Sequence, residues 1–211
     1  MEYLQCPDTK FGGRVTRIAL VGSTGRIGRR IAHEARARGL DVIEVMRADV
    51  DLFDPDALAT VLRGNDVLVS AYGAPAGEAQ KLPQATRSLL QAAESVGLQR
   101  VLTVGGCGGL TVPEGGRLAD TDGFPADLLP KVKAHEEAVS LLSASSMAWT
   151  CLAPPEQIGP GERTGQYRLA PAALVRDAAG RSTISYEDFA CAVVDELQSA
   201  RHLRELVGTG Y

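Results

Sequence analysis

Residues 17–30 read RIALVGSTGRIGRR, an apolar run, three glycines spaced by three, and the start of a segment with helical period. The continuous run Ile18–Val21 suits a strand covered on both faces rather than a half-exposed one. Ile27, Ile31 and Ala35 then recur on one side of a helix that Gly39 stops. This order of strand, glycine turn and helix constrains the fold most, because a strand can meet a parallel neighbour only through a crossover. Later segments repeat it. Asp41–Met46 reads as a second strand, and Asp54 caps a helix with Pro55 in its first turn that runs through Leu62. Asp66–Ser70, Arg100–Val104 and Ala148–Leu152, the last containing Trp149, read as further strands, with helices over Leu82–Val96 and Val132–Ser143. The pattern predicts an α/β, Rossmann-like doubly wound parallel sheet in a single domain over 17–211.

The two ends depart from the pattern. Residues 1–16 lack periodicity and read as an extended leader. The Pro- and Gly-rich stretch 154–185 reads as a small cap on the substrate side of the sheet. Ser185, with Asp188 three residues on, opens a final helix whose apolar face is Phe189, Val193 and Leu197.

Composition narrows the classes of function. A chain of 211 residues can bury one sizeable core, and a net charge of -4 offers no general attraction for nucleic acid or an anionic membrane. Neither is expected as a partner; a small molecule is. Its apolar runs fall far short of the roughly 20 residues of a membrane span. The start Met1–Leu4 has no signal-peptide character, so a cytoplasmic location is expected. Cys6, Cys107, Cys151 and Cys191 are scattered, without metal-ligand spacing, and no metal site is expected. Oligomeric state is left open.

The glycine turn has a chemical reading. A pyrophosphate needs bare backbone N–H groups and a helix N-terminus aimed at it. Gly22 would turn the chain out of the strand, Gly25 would admit the phosphates, and Gly28 would let the helix pack closely. Ser23 and Thr24 add hydroxyls, and Arg26 lies near enough to add charge. The alternative is a glycine turn without a ligand. Arg47, at the end of the second strand, would pair with a ribose 2′-phosphate, which favours NADP(H) over NAD(H). The other reading is a solvated arginine.

Taken together, RIALVGSTGRIGRRIA, VMRADVDLFDP, DVLVSAYGAP, RVLTVGGCGGL, AWTCLAPPEQIGPGERTGQYRL and ISYEDFACAVVDEL resemble the atypical short-chain dehydrogenase/reductase family of NAD(P)H-binding proteins. The resemblance runs over residues 17–211 and is nearest to the small NADH-flavin reductases, biliverdin reductase B and the NmrA-like proteins. It implies that Gly22–Gly28, Ile27 included, hold the pyrophosphate, that Asp51 and Leu52 meet the adenine, and that Ala71, Tyr72, Gly73, Val104 and Gly105 line the cofactor. Pro154, Pro155 and Ile158 would border the nicotinamide. The short segment between Arg47 and Asp51 implies a trimmed adenine pocket.

Carbonyl-reducing relatives use a Tyr-x-x-x-Lys couple, in which the lysine helps the tyrosine donate a proton. Here those positions fall on Lys131 and His135, and the couple is missing. Hydride transfer from NADPH to a flavin, quinone or similar planar acceptor needs less help from a protein acid. His135 is the first candidate for any proton donation, Lys131 the second. Cys107, Phe124 and Tyr167 are the expected substrate-lining residues. Gly105-x-Cys107-x-Gly109 mimics a hydrolase elbow, but the residues after Gly109 cannot open the helix that an elbow requires. Two other classes stand beside the reductase: a sensor that binds NADP(H) without turnover, and an epimerase or tailoring reductase of a specialised metabolite.

Overall fold

The computed structural model describes residues 15–211, so the expected leader lies outside the described residues except for its last two positions. Strand β1 (Arg17–Val21) sits between β2 (Asp41–Val45) and β3 (Val67–Ser70). The sheet continues through β4 (Arg100–Val104), β5 (Ala148–Ala153), β9 (Glu205–Gly210) and β7 (Arg168–Pro171). Neighbours run parallel except β7, which is antiparallel to β9. The chain leaves β2 at the edge and re-enters at β3 across β1. That reversal opens a crevice at the carboxyl ends of β1 and β3, where ligands bind in such sheets.

Helices α1 (Arg26–Ala37) and α5 (Tyr186–Ser199) pack together on one face, and α2 (Pro55–Leu62), α3 (Lys81–Ser95) and α4 (Leu129–Ala144) on the other. The strands are apolar without alternation because helices cover both faces. Ile31 and Phe189 bury against Leu20, Leu102 and Leu152 on the first face, and Leu58, Leu89 and Leu142 against Leu68 and Trp149 on the second. Each such side chain contributes about 2–3 kcal/mol when fully buried. The helix starts follow local chemistry. Asp54 Oδ1 accepts from the amides of Asp56 and Ala57 at 3.0 and 3.1 Å, and Ser185 Oγ accepts from Asp188 N at 2.9 Å.

The stretch 154–185 does not form one cap. β6 (Gln157–Gly159) pairs with β8 (Thr183–Ser185) in a separate two-stranded sheet, and β7 extends the main one. Between β6 and β7 the chain straps α1 to α5. The Arg163 guanidinium makes two hydrogen bonds of 2.7 Å to buried Glu34 of α1. Thr164 Oγ1 and Gly165 N each donate to Asp188 of α5 at 2.7 Å. These bonds satisfy two buried carboxylates whose isolation would cost several kcal/mol each. The Arg163 hydrogen bond is the foremost reason that the Glu34 carboxyl is held down at about 2.

Strand β9 and its antiparallel partner are additions to the expected sheet. The sequence ELVGTG shows little strand character, and its glycines are there for contact. A Cβ on Gly208 would lie 2.0 Å from the carbonyl oxygen of Ala173, so the neighbouring segment can cross only where no side chain stands.

Candidate functional site

The site is built on the turn from β1 into α1. Gly22 has φ +80°, and a Cβ there would stand 2.6 Å from Ala71 O, so the end of β3 passes directly against the turn. Gly28 is tighter: its Cβ would lie 2.1 Å from Gly22 O. Gly25 caps α1 without a side-chain hydrogen bond, and no acidic residue occupies the first turn. The amides of that turn and the positive pole of the helix are therefore unopposed. Buried Ser23, beside Glu44, has no completed hydrogen bond from its hydroxyl.

In front of this turn lies a cleft of about 370 Å³ lined by Gly22, Ser23, Thr24, Gly25, Arg47, Leu52, Ala71, Tyr72 and Gly73. It opens into a second recess of about 420 Å³ that adds Asp51, Phe53 and Lys81 to Arg47 and Leu52. The short 47–51 segment closes as a turn, with Asp49 N and Val50 N donating to Met46 O at 3.0 and 3.2 Å. Arg47 is exposed and makes no ion pair among the described residues. Met46, Val50 and Lys81 were not expected in these walls. Lys81, opening α3 after a glycine-containing loop, carried the signal that a reading centred on β1 passes over.

Three further expected residues join Ala71 near the strand ends. Ile27, Ala71, Val104 and Ile158 are partly exposed and pack on the apolar layer shared by β1, β3 and α5. Pro154 and Pro155 follow β5, with Pro155 buried. Gly105 N donates to Leu152 O at 2.8 Å, and a Cβ at Gly105 would meet Cys151 Sγ at 2.7 Å. Arg26 is exposed in the first turn of α1.

His135 of α4 packs its ring on Gly106, whose added Cβ would be 2.8 Å from the imidazole Cδ2. The ring borders a small internal cavity of about 20 Å³ that also meets Tyr72, Thr103 and Cys151. The Tyr72 and Thr103 hydroxyls there have no hydrogen-bond partner within the protein. Burial first, then the charge of Lys131 one turn earlier, pushes the imidazole down to about 4. An imidazole held this way stays neutral at pH 7 and can donate or accept a hydrogen bond. Lys131 is exposed.

The shift sets a stability prediction. The unfolded chain binds a proton at His135 below pH 6.5, whereas the folded chain resists it until about pH 4, so this stabilisation is complete above 6.5 and lost on acidification toward 4. His135→Gln should flatten the acid limb of chemical-denaturation stability across that window. An unchanged limb would show that the ring is not held neutral.

Cys107 and Phe124 come together in a cleft of about 780 Å³ that Glu156 and Arg176 also line. After Gly106 the chain makes a 3₁₀ turn (Cys107–Gly109), not the α-helix of a nucleophile elbow. Burial pushes the Cys107 thiol up, and Glu156 adds to that, which leaves it a poor nucleophile. Tyr167 is not brought to this cleft. Its hydroxyl bonds Asp195 of α5 within the strap, because Asp195 and Arg38 offer a polar pair at the helix ends. The expectation that it lines substrate is corrected accordingly.

Among the described residues no group of ligating side chains could hold a metal ion, and no helix is long and apolar enough to cross a membrane. Residues 43–200 match a family model described as NAD(P)H-binding. A protein of Burkholderia pseudomallei designated as exported is 41% identical, with a TM-score of 0.88 over 93% of this chain and 100% of that one. A Bacteroides thetaiotaomicron protein designated an epimerase is 31% identical, with a TM-score of 0.85 over 94% and 98% of the two chains. A Streptococcus pneumoniae protein designated an NADH-flavin reductase is 32% identical, with a TM-score of 0.79 over 92% and 99%.

Proposed function

The chain belongs to the NAD(P)H-binding family of atypical short-chain dehydrogenase/reductases, and from that premise we propose that it is an NADPH-dependent reductase of a planar acceptor such as a flavin or quinone. The turn fits the cofactor because α1 starts at Gly25 with no side-chain cap and no acidic residue in its first turn, which leaves its amides and positive pole free for a pyrophosphate. The first turn of α1 would hold the pyrophosphate, Leu52 and Asp51 would flank the adenine, and Arg47 would bind the 2′-phosphate. When bound, NADPH would supply the hydride. The residues Ile27, Ala71, Val104 and Ile158 would exclude water beneath the nicotinamide, and the cleft of Cys107 and Phe124 would receive the acceptor.

What supports the reading is the missing Tyr-x-x-x-Lys couple: the family's lysine position is His135, whose ring packs on Gly106. A carbonyl reductase needs a strong proton donor at this end of the sheet, whereas a flavin or quinone ring accepts the electrons itself and takes protons from water. This favours ring reduction over epimerisation as well, since the site holds no Tyr–Lys couple. Purified protein should oxidise NADPH when riboflavin or a simple quinone is added and not before. Binding of NADPH with no oxidation across a panel of such acceptors would instead support a sensor.

A further inference from the structure

We propose that the acceptor is a planar ring bearing no phosphate or carboxylate, and that the carboxylates around the Cys107–Phe124 cleft enforce that choice. The inference rests on the reductase reading above and deepens it. A cleft of about 780 Å³ has room for a multi-ring acceptor, with Phe124, Leu118 and Pro125 supplying apolar wall. Its lining includes Glu114, Asp120, Asp122 and Glu156 against a single guanidinium, Arg176.

The nearby ion pairs do not restore balance. Arg176 is shared between Glu114 at 3.6 Å and Glu156 at 3.5 Å, and Arg117 between Asp120 at 2.6 Å and Glu136 at 2.5 Å. Each cation is outnumbered two to one. Asp122 has no ion pair among the described residues, and its side chain is exposed at the mouth. Glu156 lines the same cleft as Cys107, so its charge is not confined to the loop that carries Asp120 and Asp122. The carboxylates are spread around the opening and do not converge on a metal ion. What they share is repulsion of an anion entering the cleft, while a neutral ring still gains the apolar wall.

Riboflavin and FMN test this directly, since they share one ring system and differ by a phosphate. On protein saturated with NADP⁺ at low ionic strength, quenching of flavin fluorescence should report riboflavin binding about tenfold more tightly than FMN. The gap should narrow at about 0.5 M salt, where screening acts within a few ångströms. It should also narrow in the double variant Asp122→Asn, Glu156→Gln. FMN binding as tightly as riboflavin, or a gap unmoved by the double variant, would overturn the inference. So would failure of both flavins to bind. If riboflavin binds by this pattern yet is never reduced, the reductase reading fails while the charge selection stands; if a quinone is reduced but FMN wins, the reverse holds.

Discussion

Replacing Gly28 with alanine should abolish measurable NADPH binding, or weaken it by at least about 100-fold, and lower thermal stability. The added methyl would stand 2.1 Å from Gly22 O and 3.0 Å from Ser23 Cα, both backbone, so no rotamer change relieves the overlap. The α1 N-terminus must move off the turn, and both the helix pole and the amides proposed to bind the pyrophosphate move with it. Overpacking of this severity falls among the larger single-residue effects, about 3 kcal/mol or more. Gly159→Ala is the control. Nothing lies within 4 Å of its added Cβ and its φ is not positive, so its stability and NADPH affinity should stay at the parent's values. Fluorescence titration with NADPH and a thermal melt read both effects. A Gly28→Ala protein that binds NADPH normally would show that the β1–α1 turn is not the cradle.

The second large effect is expected at Arg47. Loss of a charge-assisted pair with the 2′-phosphate costs about 1.5–3 kcal/mol, so Arg47→Ala should lose roughly 10- to 100-fold in NADPH affinity with little change for NADH. Arg47 is exposed, lines both the cleft and its adjoining recess, and has no ion pair within the described protein to lose. Arg26→Ala should have a smaller effect, since that side chain stands at the turn rather than at the ribose end. If the ratio of NADPH to NADH affinity does not change in Arg47→Ala, the 2′-phosphate is bound elsewhere.

Much of this architecture is legible in the residues themselves. The run Ile18–Val21, the glycines at 22, 25 and 28, and the Asp54–Pro55 helix start act through contacts close in sequence, and local pattern reports them well. What escapes the pattern depends on close approach between distant segments. β9 forms because Gly208 leaves space for Ala173, 35 positions away by number, and ELVGTG by itself gives no sign of that partner. The PGERTG stretch looks like a loop facing substrate, but Arg163 and Thr164 find Glu34 and Asp188, and the segment becomes a clamp on two helices.

The chemistry is legible in the same uneven way. The cleft before the β1–α1 turn gathers glycines and Arg47 that the sequence singles out, whereas the shift of His135 arises from burial of its ring, which packs on Gly106, and from the charge at Lys131, which act only once α4 is packed. Asp122 and Glu156 look like ordinary surface acids until the loop after β4 and the exit from β5 face each other across one cleft.

If this chain passes a hydride from NADPH to a planar acceptor held beside it, the transfer is visible in one turnover. Stopped-flow mixing of the NADPH-loaded protein with riboflavin, using NADPH deuterated at one or the other face of the nicotinamide C4, tests it most directly. Oxidation should then depend on the acceptor, complete in a single turnover, and be slowed by deuterium at one face only. NADPH that stays bound and unoxidised after the acceptor arrives, or oxidation equally fast with every label, would contradict it.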